Sequence, residues 1–126
     1  MPLETELAFI NDYFFLQKIR DEDKIIMEVS VSEAGKYDIL PVSLQILVEN
    51  AIKHNMATHE RPLKINIYSE SGYIVVENTL QMKGIPEKST KIGLKNLSER
   101  VRISTGLNLI INQTADKFQV KIPLFP

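Results

Sequence analysis

A chain of 126 residues, 44% hydrophobic and 25% charged, has room for one domain with a real core. Its net charge of -1 excludes the basic footprint of a nucleic-acid binder and any preference for an anionic membrane surface. The absence of cysteine rules out a disulfide framework and thiolate metal sites and fits a reducing compartment. No apolar run reaches the ~20 residues needed to cross a bilayer.

Glu4 to Arg20 is predicted helical, with Leu7, Ile10, Phe14 and Gln17 on one stripe and Phe9, Tyr13 and Leu16 widening it. Glu4 and Glu6 fall in its first turn, where the helix dipole favours acidic groups. So many large apolar residues suggest a packed linker helix or one that continues into a neighbouring module. After the polar Asp21-Glu22-Asp23, Lys24 to Ser32 alternates and is β-branched, a strand, and Glu33 to Lys36 is a turn.

Pro41 to Asn55 is the most informative stretch. Leu44, Leu47, Val48, Ala51 and Ile52 fall at i, i+3, i+4, i+7 and i+8, the stripe of a helix lying on a core, with Pro41 suited to its first turn. Glu49, Asn50 and Lys53 share the opposite stripe, with His54 at its edge. Asn is a poor helix former, because its amide competes for backbone hydrogen bonds, so its presence there needs a reason. A solvated face with cations near the helix C-terminus is the bland account, and a site for a metal with an anion is the sharper one.

Leu63 to Ser69 alternates strictly, with Leu63, Ile65 and Ile67 on the buried face. Glu70-Ser71-Gly72 is a tight hairpin turn, and the return strand Tyr73 to Asn78 puts Ile74, Val76 and Asn78 on one face. Thr79 to Lys91 has no sustained period and is predicted to be a loop, of a length that usually carries function. Gly93 then precedes a helix with Leu94, Leu97 and Val101 inward and Lys95, Asn96, Glu99 and Arg100 outward, stopped by Thr105-Gly106. Leu107 to Asn112 and Phe118 to Leu124 form a second hairpin. The tally of about five strands and three helices is α+β, an open sheet with helices on one face.

Asn50 offers an uncharged oxygen, a reasonable ligand for a magnesium ion that keeps waters and substrate phosphates as its other ligands. Lys53 can act as a point charge toward phosphate. Gly93 at a loop-to-helix junction would let backbone N–H groups approach an anion. Asn78 can both donate to and accept from a flat heterocycle. Each feature alone is weak.

Their order and spacing are not. Leu-Val-Glu-Asn-Ala-Ile-Lys-His at 47–54, Ile-Val-Val-Glu-Asn-Thr at 74–79 and Ile-Gly-Leu-Lys-Asn-Leu-Ser-Glu-Arg-Val at 92–101 together resemble the ATP-binding catalytic domain of sensor histidine kinases. The resemblance is to the LytS/YehU class and covers nearly the whole chain, including Leu16-Gln17-Lys18-Ile19-Arg20 at the end of the first helix. It implies a two-layer α/β sandwich of the Bergerat type. Residues 1–22 would be a linker helix from a dimerisation and phosphoacceptor module, and 23–126 the catalytic domain.

The resemblance makes Asn50 and Glu49 catalytic, with Asn50 the Mg2+ ligand. ATP would be held by Asn50, Lys53, His54, Asn78, Thr79, Ile92, Gly93, Leu94 and Asn96. It further implies a parent protein that is a membrane-bound homodimer with this domain in the cytoplasm, and a response regulator of LytTR type downstream.

Departures accompany the match. Asn78-Thr79-Leu80 stands where the family has Asp-Asn-Gly, and Ser89 and Lys91 replace two glycines of the Gly-x-Gly-x-Gly segment. Ile46 occupies the position where hydrolytic relatives carry a water-activating Glu, so fast hydrolysis is not expected. Only His54 and His59 occur, neither in the His-Phe-Leu-Phe-Asn context of a phosphoacceptor, which is therefore expected upstream of Met1. The alternatives are a degenerate nucleotide-sensing or interaction module and an anti-sigma serine kinase of the same fold. Ile46 and the Phe-Leu-Gln-Lys pattern of the first helix argue against the latter.

Overall fold

A computed structural model describes residues 1–21, 24–81 and 88–125, with backbone only at 17–21 and 88–92. The elements are α1 (Leu3–Asp21), β1 (Ile25–Ser30), α2 (Ser43–His54), β2 (Leu63–Glu70), β3 (Tyr73–Thr79), α3 (Lys88–Thr105), β4 (Ile110–Gln113) and β5 (Lys117–Pro123). The strands form one sheet in the order β1-β2-β3-β5-β4. β1 runs parallel to β2, and the crossover between them contains α2; the other pairs are antiparallel. Among the described residues the chain forms the expected mixed five-stranded sheet with three α-helices.

Strand alternation decides which face is covered. Leu63, Ile65 and Ile67 of β2, Ile74 and Val76 of β3, and Val120 and Ile122 of β5 are buried together with the apolar stripes of the helices. α1 contributes Leu3, Leu7 and Ile10, α2 contributes Leu44, Leu47, Val48 and Ala51, and α3 contributes Leu97 and Val101. At about 1.5–3 kcal/mol for each large apolar side chain buried, this cluster outweighs any surface ion pair, worth about 0–1 kcal/mol. The other face of the sheet is polar, with Gln119 Nε2 donating to Tyr68 Oη at 3.0 Å.

Local rules explain the joints. Ser71 and Gly72 have φ of 48° and 84°, both positive, as a two-residue hairpin turn between right-twisted strands requires. Gly106, with φ 75°, ends α3 by donating its N–H to the Arg102 carbonyl at 2.9 Å.

Four expectations are corrected. α3 begins at Lys88, so Gly93 lies within the helix and not at a loop-to-helix junction. The cost of a helical glycine, about 1 kcal/mol, is small beside the burial of Leu97 and Val101 on the same helix. Pro41 precedes α2: it shares a turn with Val42, whose φ of 69° marks the break before Ser43 opens the helix. On α1 Leu7 and Ile10 are buried and Tyr13 and Phe14 pack on the core as expected, whereas Phe9 (58% exposed) and Leu16 (65% exposed) sit seven apart on another side. β4 starts at Ile110, not Leu107, because the Leu107 N–H is taken by the Thr105 hydroxyl at 3.1 Å.

The expected loop from Thr79 to Lys91 falls partly on residues 82–87, outside the described residues; from Lys88 onward it is helix. The side chains of Gln17, Ser89, Lys91 and Ile92 are likewise outside the described set.

Candidate functional site

α2 is set on the core by its apolar stripe, and its start is fixed from another helix. The carboxylate of Glu6, 2% exposed, accepts from the Val42 N–H at 3.2 Å and from the Gln45 N–H at 3.5 Å. Two orphan donors of the helix N-terminus thus meet a buried acid on α1. Ser43 is already the first helical residue, past the cap position held by Val42, and its hydroxyl donates to the Leu40 carbonyl at 2.7 Å.

One turn and more along α2, Glu49 and Asn50 are half-buried. Glu49 Oε1 accepts from Gln45 Nε2 at 3.0 Å, which holds the carboxylate along the helix. Asn50 is different: its Nδ2 is buried and has no hydrogen-bond partner, the one such side-chain atom among the described residues. A buried amide left unmet costs about 1–3 kcal/mol, so the position calls for a partner from outside the chain. The two ends of an amide differ only by a rotation, so Oδ1 can be presented in the same place. Lys53 is exposed and His54 half-buried, and both already have partners within the chain.

Asn78 lies on the inner face of the sheet, paired with Ile65 on one side and Phe118 on the other, and is 4% exposed. Its Nδ2 donates to the Thr79 carbonyl at 2.9 Å, and the Thr79 hydroxyl accepts from the Lys64 N–H at 3.2 Å. α2 packs on both β3 and α3, so the structure brings the elements carrying Asn50, Asn78 and Gly93 into contact. Leu94 is half-buried against the core, while Asn96 is exposed. Arg100 Nη2 reaches back to the Pro41 carbonyl at 3.4 Å and ties α3 to the entrance of α2.

Sequence reasoning missed two residues that organise this region. Asn55, 5% exposed, donates its Nδ2 to the Ala51 carbonyl at 2.9 Å and accepts the Gln81 N–H on Oδ1 at 2.8 Å. Gln81 Nε2 in turn donates to the carbonyls of Met56 at 2.6 Å and Arg61 at 2.9 Å. No local pattern marks these partners, which are 20 to 26 residues apart.

Among the described residues, no group of three or more His, Asp or Glu side chains is placed to hold a metal. A cation here would therefore depend on few protein ligands, and the neutral oxygen of Asn50 fits a hard ion whose other ligands are phosphate and water. Two open grooves, about 520 Å³ between α3 and β4 and about 410 Å³ on the polar face of the sheet, include neither Asn50 nor Asn78.

No family model matches the chain. Against curated proteins it is 30% identical over 110 residues to the sensor protein LytS of Streptococcus mutans, covering 85% of this chain and 19% of that protein. The sensor histidine kinase YesM of Bacillus subtilis is 27% identical over 115 residues, covering 84% and 20%. The chain thus spans about a fifth of the length of these relatives. Among solved structures, the catalytic domain of the histidine kinase ThkA superposes with a TM-score of 0.62 at 20% identity, covering 98% of this chain and 96% of that one.

The chain is homologous to a part of LytS-type sensor histidine kinases and has the fold of a histidine kinase catalytic domain. The histidine kinase AdeS of Acinetobacter baumannii shares the fold as well, with a TM-score of 0.61 at 16% identity over 98% of this chain and 65% of that one. No described helix of this histidine kinase-type domain is long and apolar enough to cross a membrane.

Proposed function

We propose that this domain binds Mg-ATP and presents the γ-phosphate to a histidine that lies outside this chain. The observation that carries the reading is the buried, unpartnered amide of Asn50 on α2. Asn50 would hold the ion, Glu49 would stand beside it, and Lys53 and His54 would face the phosphates. Asn78 and Thr79, at the end of β3, would meet the adenine, with Ile92, Gly93, Leu94 and Asn96 along the other wall. When bound, magnesium would neutralise phosphate charge. The protein's own part is positioning and charge stabilisation, which is most of what phosphoryl transfer asks of a protein. Ile46, one turn before Asn50, packs against the core and offers no base to activate water, which favours transfer over hydrolysis.

In the same reading residues 1–22 are a linker helix from a dimerisation and phosphoacceptor module. The parent protein is a membrane-bound homodimer that holds this domain in the cytoplasm and signals to a response regulator of LytTR type. The relatives are sensor kinases about five times as long as this chain, which supports further modules in the parent protein.

Titration with a fluorescent ATP analogue tests the reading. Binding should require magnesium, and Asn50→Ala should weaken it at least tenfold; equal binding by the variant sinks the site. A second reading, a nucleotide-sensing module without transfer, is favoured by Gly93 lying inside α3, where its N–H faces along the helix. The parent protein given γ-labelled ATP decides between them, since histidine labelling supports transfer and binding without labelling supports sensing.

A further inference from the structure

The exit of β3 is fastened on two sides. Leu80 donates its N–H to the Asp116 carbonyl at 2.8 Å, in the turn between β4 and β5. Gln81 is fastened by four hydrogen bonds, three to the exit of α2 and one to Arg61 just before β2. Its N–H goes to Asn55 Oδ1, its carbonyl accepts from Met56 N at 2.7 Å, and its side chain spans the carbonyls of Met56 and Arg61. Asn55 is in turn locked to α2 through the Ala51 carbonyl. A glycine-rich exit would be shaped by backbone freedom, but Leu80 and Gln81 have none to spare, and side-chain hydrogen bonds hold the conformation instead.

We infer that Asn55 and Gln81 form a clasp that fixes the end of β3 relative to α2, and so sets the spacing between the two ends of the proposed nucleotide site. The inference rests on the nucleotide-binding reading above. Asn50 lies little more than a helical turn before Asn55, and Asn78 lies three residues before Gln81. A shift at the clasp therefore moves the amide at the phosphate end relative to the amide at the adenine end. Asn55 and Gln81 touch neither end; they are positioning residues. A ligand that spans both ends senses the spacing, and a ligand that fills one end does not.

The experiment compares three probes on wild type, Asn55→Ala, Asn55→Asp and Gln81→Ala: Mg-ATP, adenosine alone and magnesium tripolyphosphate, each followed by NMR shift titration. Loss of a buried hydrogen bond predicts about three- to tenfold weaker Mg-ATP binding for both alanine variants. Adenosine and tripolyphosphate should bind as to wild type. Asn55→Asp keeps the acceptor for the Gln81 N–H but sets its second oxygen against the Ala51 carbonyl, and should weaken Mg-ATP binding as Asn55→Ala does. Unchanged Mg-ATP binding in the alanine variants overturns the clasp, and so does equal weakening of all three probes, the mark of a general loss of structure. Failure of wild type to bind Mg-ATP is a separate result: it overturns the nucleotide-binding reading, and the clasp's role with it.

Discussion

Glu6 of α1 holds Val42 at the entrance of α2, its Oε2 accepting the Val42 N–H at 3.2 Å while Oε1 reaches the Gln45 N–H at 3.5 Å. The helix that carries Asn50 therefore starts on a charge supplied by a different helix. Val42 sits at φ 69°, a conformation a β-branched residue adopts only at a cost of about 1–3 kcal/mol, and the Glu6 bond helps to keep it there. Removing the acceptor should free both problems at once. Glu6→Ala is expected to lower stability by about 1–2 kcal/mol, read as a fall in the urea midpoint at unchanged slope. An unchanged midpoint would show that water replaces the carboxylate at no cost.

Asn50 should behave in the opposite way. Its Nδ2 is buried without a partner, so in the absence of nucleotide the residue costs stability. Asn50→Ala removes the unmet amide and inserts a better helix former, and should raise stability by about 0.5–1 kcal/mol in a ligand-free melt. A lower melting temperature would mean that the amide has a structural job inside the domain. Stability gained where binding is lost is the signature of a site residue.

Two glycines make a contrasting pair. Gly72 has φ +84° with nothing within 4 Å of an added Cβ, so Gly72→Ala costs only backbone strain, about 1–2 kcal/mol. Gly93 also has nothing within 4 Å, but it is helical, and Gly93→Ala should stabilise by about 1 kcal/mol. Paired denaturation curves would show shifts of opposite sign. If Gly93→Ala stabilises and leaves Mg-ATP affinity intact, the glycine serves no phosphate, and the sensing reading gains.

On the polar face, Lys121 Nζ lies 2.9 Å from Glu70 Oε2. The hydrogen bond the lysine donates to Glu70 raises it above its ordinary pKa, desolvation opposes the rise, and the charge of Glu70 adds to it. The folded state holds this proton more tightly, so whatever the pair contributes is present below the ordinary lysine pKa and lost as pH rises through the raised value. NMR titration should show Glu70→Gln returning Lys121 toward its ordinary pKa. Stability at neutral pH should hardly change, as for other solvent-screened pairs.

What could be foreseen in the chain was what local periodicity governs. Leu63, Ile65 and Ile67 alternate into the core as their spacing demands, and Asn78 follows Ile74 and Val76 onto the same face. The α2 stripe is equally plain from Leu44 to Ala51. Periodicity is silent on long-range partners, which is why the Glu6 cap and the Asn55–Gln81 clasp were not foreseen. The start of α3 was misplaced for another reason. Gly93 and the polar residues before it look like loop chemistry, yet the chain from Lys88 continues the helix that Leu97 and Val101 anchor. Of the proposed site, the sequence marked Asn50 and Asn78 but not the hydrogen bonds between the elements that carry them.

Asp38 stands between two segments that are far apart in sequence. It bridges to Pro2 on one side and to Phe125 on the other, with its N–H on the Phe125 carbonyl at 2.6 Å and the Phe125 N–H on its own carbonyl at 3.1 Å. The Ile39 N–H meets the Met1 carbonyl at 2.9 Å. Pro2 and Phe125 thus flank the same residue, an arrangement found in domains that tolerate circular permutation. A short linker could join them and the chain could be reopened elsewhere, and any segment attached at either end would depart from the same corner of the domain.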